Sequence, residues 1–220
     1  MTAHEERALA GVQSYSRKML AVYDLWILGV VCPVVWHCSR GTMAAHYARN
    51  VGKRHLDIGP GTGYFLRRTR FPVERPEITL VDLNEDVLYT ASRRLAKYRP
   101  STFRRDVLRP LGLGDSRFDS VGMNLLLHCL PGDLTEKAVV FDHVLPHLEP
   151  GGRVFGSTVL SHGVKHGLLA PKALEALNRD NDMSNAEDSL EQLETALAKR
   201  FSEHRITVRG SVALFEAKQA

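Results

Sequence analysis

The chain has 220 residues, 44% hydrophobic and 25% charged, as expected of one ordinary α/β domain with a substantial core. A net charge of +4 and a pI of about 9.0 are too mild for a dedicated nucleic-acid binder. No apolar run reaches the ~18 residues that span a bilayer; the longest, Leu25–Trp36, is broken by Pro33, and the polar start Met1–Arg7 does not read as a signal peptide.

Residues 11–50 form an extension rich in aromatics, with Tyr15, Tyr23, Trp26, Trp36 and Tyr47. Its pattern predicts two or three helices broken near Gly29–Pro33, read as a helical lid over residues 1–50. Residues 51–220 then alternate between strand and helix patterns. Lys53–Ile58 is a predicted strand, Thr62–Arg70 a helix and Glu77–Val81 a second strand. Asn84–Tyr98 reads as a helix with Val87, Leu88, Ala91, Leu95 and Tyr98 on one face and Pro100 beyond its end. Thr102–Asp106 and Phe118–Leu125 are the third and fourth strands. Leu134–Leu148 is helical, and Gly151-Gly152 turns into a fifth strand, Arg153–Leu160. Strands alternating with helices argue a parallel, doubly wound sheet. The last third departs from this rhythm. Leu168–Asn178 and Ala186–Arg200 read as helices, the second with a capping box from Ser184 to Glu187. Arg205–Arg209, Gly210-Ser211 and Val212–Ala217 then read as an antiparallel hairpin. The expected fold is α/β: a doubly wound, mostly parallel seven-stranded sheet with helices on both faces and a C-terminal antiparallel hairpin.

The richest segment is His55-Leu56-Asp57-Ile58-Gly59-Pro60-Gly61-Thr62-Gly63-Tyr64-Phe65. A strand, a glycine-rich turn and a helix start make a nucleotide-binding edge. The dinucleotide fingerprint G-x-G-x-x-G would place its third glycine at Tyr64, a bulky ring. The run is instead D-x-G-x-G-x-G, and a carboxylate at Asp57 would repel a pyrophosphate but suit a cationic amine. Asp82 ends the second apolar run, roughly 20 residues past the turn, where a carboxylate accepts ribose hydroxyls; read blandly, it is a helix cap. Asp106 is a third carboxylate at a predicted strand end.

This D-x-G-x-G-x-G segment resembles the first motif of class I S-adenosylmethionine (SAM) methyltransferases, and residues 51–160 look like that family throughout. Phe118-Asp119-Ser120-Val121-Gly122-Met123-Asn124 resembles its fourth-strand motif, and Leu148-Glu149-Pro150-Gly151-Gly152 its L-x-P-G-G turn. The resemblance implies a Rossmann-like domain that binds SAM and releases S-adenosylhomocysteine. It implies that Asp57 with Gly59, Gly61 and Gly63 holds the amino acid moiety, and that Asp82 holds the ribose. Leu83 would pack on adenine, Asp106 and Val107 would meet the adenine edge, and Asn124 and Leu125 would line the sulfonium end. Tyr15 and Tyr23 would close over the ligand. With Leu127-His128-Cys129-Leu130-Pro131-Gly132, the chain is most similar to small methyltransferases of bacterial and fungal secondary metabolism, which act on hydroxyls of polyketide-like or aromatic compounds. His128 follows the fourth strand at the ligand edge and is the candidate general base, with His37, His162 and His166 as rivals. An acidic enol or phenol would need little base.

Other readings weaken on inspection. Amino methylation of nucleic-acid bases commonly uses an N-P-P-Y-type motif, where this chain has Asn124-Leu125-Leu126-Leu127; no Pro-Cys dipeptide exists for cytosine chemistry. A short-chain dehydrogenase needs Tyr-x-x-x-Lys, which is absent. A macromolecular acceptor or a SAM-binding protein without catalysis stays as the alternative. Cys32, Cys38 and Cys129 form no C-x-x-C and suit a reducing cytoplasm. Neither H-E-x-x-H nor a Cys/His cluster suggests a metal. The expected partner is a small-molecule acceptor, with no nucleic acid and no membrane span.

Overall fold

The computed structural model describes residues 24–219; Tyr15 and Tyr23 lie outside them. Seven strands form one sheet: β1 (Arg54–Ile58), β2 (Glu77–Asp82), β3 (Ser101–Arg104), β4 (Phe118–Asn124), β5 (Leu148–Val159), β6 (Glu203–Arg209) and β7 (Val212–Lys218). Their order is β3-β2-β1-β4-β5-β7-β6. β1 to β5 pair in parallel, and β7 runs antiparallel to both β5 and β6. The chain leaves β1 to one side to build β2 and β3, then returns to β1's other edge with β4. The strand order therefore reverses at β1/β4, and such a reversal opens a crevice at the carboxyl ends of the strands.

β1 is buried along nearly its whole length, and its side chains alternate between two faces. Leu56 and Ile58 join a core with Val121, Phe141, Val154 and Phe215. His55 and Asp57 point the other way, beside Tyr47 and Phe155. Helices cover both faces: α1 (24–34) and α2 (Arg40–Asn50), α3 (Tyr64–Arg68), α4 (Glu85–Arg94), α5 (Leu134–Lys137), α6 (Val139–Val144), α7 (Ala170–Arg179) and α8 (Leu190–Ala198). Ser39 caps α2 by accepting from Thr42 N–H, and Asn84 caps α4 through Asp86 N–H.

Several boundaries differ from expectation. The N-terminal helix does not break at Gly29–Pro33. It widens into a π-helical stretch, Ile27–Val31, before the Cys32–Val34 turn. Pro33 has no N–H, and a widened register spares the clash its ring would otherwise cause. The break comes later, at His37, whose φ is +54°. Gly151 and Gly152 belong to β5 itself, in an irregular register opposite Phe118–Ser120. Asp106 lies in the turn after β3, not on the strand.

The capping box also sits elsewhere. Ser189 and Gln192 cap α8, with the reciprocal pair of bonds in place. Ser184 is taken by other contacts: its carbonyl accepts from Lys137 Nζ at 2.5 Å, and its N–H bonds to the His128 carbonyl. Lys137 and Asp188 form a fully buried ion pair at 2.7 Å, and Asn185 is buried between Asn178 and the Val159 carbonyl. Burial pushes the Asp188 carboxyl up to about 6 and the Lys137 ammonium down. A buried charge needs its partner, so the loop before α8 turns inward and the helix begins after it.

Candidate active site

A cleft opens at the carboxyl ends of β1, β2 and β4. Asp57, Gly59, Gly61, Asp82, Leu83, Asp106, Val107, Asn124 and Leu125 all line it. Nine of the expected cofactor residues thus converge on one surface, although they are spread over the ends of four strands, β1 to β4, and their turns. Gly63 does not line it. With φ of +74°, Gly63 caps α3 and lies where a Cβ would meet Ala91 of α4 at 3.4–3.6 Å. Gly59 has φ +66°, a conformation that favours glycine, and a Cβ there would come within 2.8 Å of the Leu126 Cδ1 methyl, which would have to shift. Gly61 is different: a Cβ would meet nothing within 4 Å, so its φ of +54° alone demands glycine. Thr62 ties the turn to the start of α1 by donating to Asp24, whose other carboxylate oxygen pairs with Arg94.

Asp57 is almost wholly buried. Its Oδ2 accepts from the Tyr47 hydroxyl and from His55 Nε2 at 3.2 Å. Asp82 receives the Asn84 N–H at 2.8 Å. Burial, against the opposing help of the Asn84 and Leu83 N–H groups, pushes the Asp82 carboxyl up to about 7, and the charge of Asp57 adds to the rise. Asp106 accepts from Leu108 N–H at 3.0 Å and holds its own turn closed. At the end of β4 the Asn124 side chain accepts from Ser157 Oγ at 3.2 Å, while its Nδ2 has no partner among the described residues. Leu125 follows with φ of +55°, a strained conformation for a leucine, held by its N–H to the Ser157 carbonyl at 2.7 Å. Beyond it the wall is apolar: Leu28, Leu126, Leu130 and Pro131.

Residues 56–154 match the family described as a methyltransferase domain. Demethylluteothin O-methyltransferase of Streptomyces thioluteus is 39% identical over 213 residues, covering 97% of this chain and 93% of its own. The physcion biosynthesis cluster O-methyltransferase of Aspergillus chevalieri is 36% identical and covers 94% of each. The solved DhpI–SAH complex shares the fold, with a TM-score of 0.68 over 98% of both chains at 16% identity. The chain belongs to the SAM-dependent methyltransferases. Its donor is SAM, and the cleft suits that donor. An orphaned buried amide at Asn124, a side-chain-free turn at Gly61 and the carboxylates of Asp57, Asp82 and Asp106 facing one crevice offer the donors and acceptors that an adenosyl-substituted amino acid requires.

The placement of His128 in this methyltransferase corrects the expected base role. The imidazole is buried and does not line the cleft. Its Nδ1 accepts the Val159 N–H at 3.2 Å and faces Thr158 Oγ1 at 3.4 Å. Burial, with the Lys137 charge, pushes it down to about 3, so it stays neutral and serves the fold. His37, His162 and His166 are outside the cleft as well; His166 bridges Ser211 Oγ and the Ser161 carbonyl, both at 2.9 Å. Among the described residues no group of three or more His, Cys, Asp or Glu could hold a metal. His55 and Tyr47, which hold Asp57, are not among the expected site residues. His55 sits two residues before Asp57 and so on the same strand face, a legible signal. Tyr47 reaches Asp57 only through the packing of α2.

Because the fold keeps His128 neutral, the unfolded chain takes up a proton there that the folded chain refuses. Stability should therefore fall as pH drops from about 6.5 towards about 3, by about 1.4 kcal/mol per pH unit from this group. His128→Asn retains an acceptor for Val159 N–H without that proton. Urea denaturation at pH 7 and pH 4 should show a smaller acid loss in the variant than in the parent; equal losses would mean that His128 titrates normally.

Proposed function

We propose that this methyltransferase methylates a hydroxyl of a small, largely planar metabolite, with SAM laid along the carboxyl ends of β1, β2 and β4. The observation that carries this reading is the cleft itself, polar at Asp57 and Asp82 and apolar from Leu125 to Pro131. The relatives named above, which methylate oxygen in metabolite pathways, support the same acceptor class. Bound SAM supplies an electrophilic methyl on a sulfonium.

The chain's own part is to hold and to exclude. Asp57 and the backbone of Gly59–Gly63 take the amino acid moiety. Asp82 accepts the ribose hydroxyls, Leu83 packs on adenine, and Asp106 with Val107 meets its edge. Asn124 and Leu125 stand at the sulfonium end. The helices α1 and α2, within the N-terminal segment 1–50, act as a cap on the acceptor side, a role supported by Leu28 at the cleft wall. Residues 51–220 form the donor-binding domain. The described residues lining the cleft include neither histidine nor lysine. Rate then comes from near-attack placement of an acceptor oxygen against the methyl carbon in a largely apolar pocket. An acceptor that is already ionised at neutral pH needs no base.

A panel of phenols, enols and amines, scored by S-adenosylhomocysteine release, tests this. Turnover should favour hydroxyl acceptors and rise with their acidity, and His128→Asn should change kcat by no more than a few fold. Turnover confined to amines, or a ~100-fold loss in His128→Asn, would contradict it.

Asp82 adds a pH signature. Ribose hydroxyls donate to its carboxylate, so binding requires the ionised form. Affinity for S-adenosylhomocysteine should rise with pH up to about 7, by up to about tenfold per unit, and then level off. Asp82→Asn should bind about tenfold or more weakly with a flat profile. A flat profile in the parent would return Asp82 to the role of a helix cap.

A further inference from the structure

Behind Asp57 lies a closed chain of hydrogen bonds that no part of the methyl-transfer chemistry has used. Gly52 N–H donates to Ser120 Oγ at 2.7 Å. Ser120 Oγ lies 2.8 Å from His55 Nδ1. His55 Nε2 lies 2.7 Å from the Tyr47 hydroxyl and 3.2 Å from Asp57 Oδ2, and that hydroxyl donates to the same Oδ2. The directions follow from counting protons. The Tyr47 proton goes to Asp57, so the phenol oxygen can only accept from His55. Nε2 then carries the imidazole proton, and Nδ1 accepts from the Ser120 hydroxyl, whose oxygen accepts the Gly52 N–H. The one Nε2 proton is shared between the Tyr47 oxygen and Asp57 Oδ2, so each donor of the chain is used and Asp57 Oδ1 is the acceptor left over.

The surroundings strengthen these bonds. The Tyr47 ring meets Phe155 edge-on at 5.0 Å and stacks on Phe65 at 5.9 Å; His55 stacks on Phe155 at 5.8 Å. Tyr47, His55 and Ser120 are all buried, and a dry aromatic box raises both the worth of a satisfied bond and the penalty for a broken one. Burial and the Asp57 charge push the Tyr47 phenol well above its ordinary value, so it keeps its proton and stays a donor. The opposing strand position is Gly122, where a Cβ would crowd His55 and Asp57 Oδ2 at 3.1–3.3 Å. Both bonds to Asp57 fall on Oδ2, and among the described residues Oδ1 receives none.

We propose that Tyr47 and His55 are positioning residues that fix the plane of the Asp57 carboxylate and leave Oδ1 to the amino group of the methyl donor. This rests on the reading of Asp57 as the site of the amino acid moiety. A free aspartate rotates about two bonds; here both rotations are stopped from one side by donors anchored, through Ser120, to the Gly52 backbone. Because Tyr47 stands on α2, the N-terminal helices and the donor site are built as one unit.

Binding of two nucleosides by calorimetry separates positioning from mere structure. S-adenosylhomocysteine carries the amino acid group, and methylthioadenosine lacks it while keeping the adenosyl part. Tyr47→Phe and His55→Leu should each weaken S-adenosylhomocysteine about tenfold or more and leave methylthioadenosine within about twofold. His55→Gln, whose amide can donate in place of Nε2, should recover much of the loss. Equal weakening of both nucleosides, or no weakening of either, overturns the proposal. Asp57→Asn checks the premise: if it binds S-adenosylhomocysteine as the parent does, the amino acid moiety lies elsewhere and the proposal falls with that reading. If Asp57→Asn loses binding while Tyr47→Phe and His55→Leu do not, the reading of Asp57 stands and the positioning role alone is overturned.

Discussion

A carboxylate at the end of a buried parallel strand is a costly thing to keep charged, and much of this molecule is arranged around the one at Asp57. Water cannot reach it freely, so protein donors must stand in for water. They come from its own strand, through His55, and from α2, through Tyr47. Strand alternation puts His55 and Asp57 on one face, and the same alternation sends Leu56 and Ile58 into the opposite core. The glycine turn can then leave β1 without a side chain in the way, and the reversal of strand order beside it leaves the crevice open. The cleft, the contact with α2 and the core on both faces of β1 therefore share a single short strand.

The second carboxylate shows how the cleft is tuned. Asp82 is pushed up to about 7 by burial, with Asp57 adding to the effect. Two acids facing one crevice repel each other. In the proposed binding mode a ligand relieves this by bringing hydroxyls to Asp82 and a cation to Asp57. Past Asn124 the wall turns apolar, and the chemistry left to the protein is placement and exclusion of water. His128 illustrates the division of labour: it lies just after β4, which ends at the cleft, yet its ring faces inward to secure Val159.

What could be read from the sequence was what is local. The strand, acid and three glycines of residues 54–63 are contiguous, and the spacing to Asp82 and Asp106 is set by intervening helices whose patterns are clear. Seven strands and the closing hairpin followed from period-two runs and from Gly210-Ser211. The features that escaped depend on distant partners. Tyr47 looked like one aromatic among several in an extension, because its partners His55 and Asp57 meet it only when α2 packs on the sheet. The Lys137–Asp188 pair joins residues far apart in the chain, and it displaced the expected helix start from Ser184 to Ser189. His128 misled for the converse reason: sequence gives position along the chain but not the direction of a ring. The π-helical stretch before Pro33 likewise had no signal beyond the proline itself.

The most direct test of the account is a crystal structure of the chain with S-adenosylhomocysteine bound. The account predicts the ligand's amino nitrogen within hydrogen-bond distance of Asp57 Oδ1, with Tyr47 and His55 still on Oδ2 and the ribose hydroxyls on Asp82. An amino acid moiety lying away from Asp57, or a carboxylate that abandons Tyr47 and His55 to reach the ligand, would contradict it.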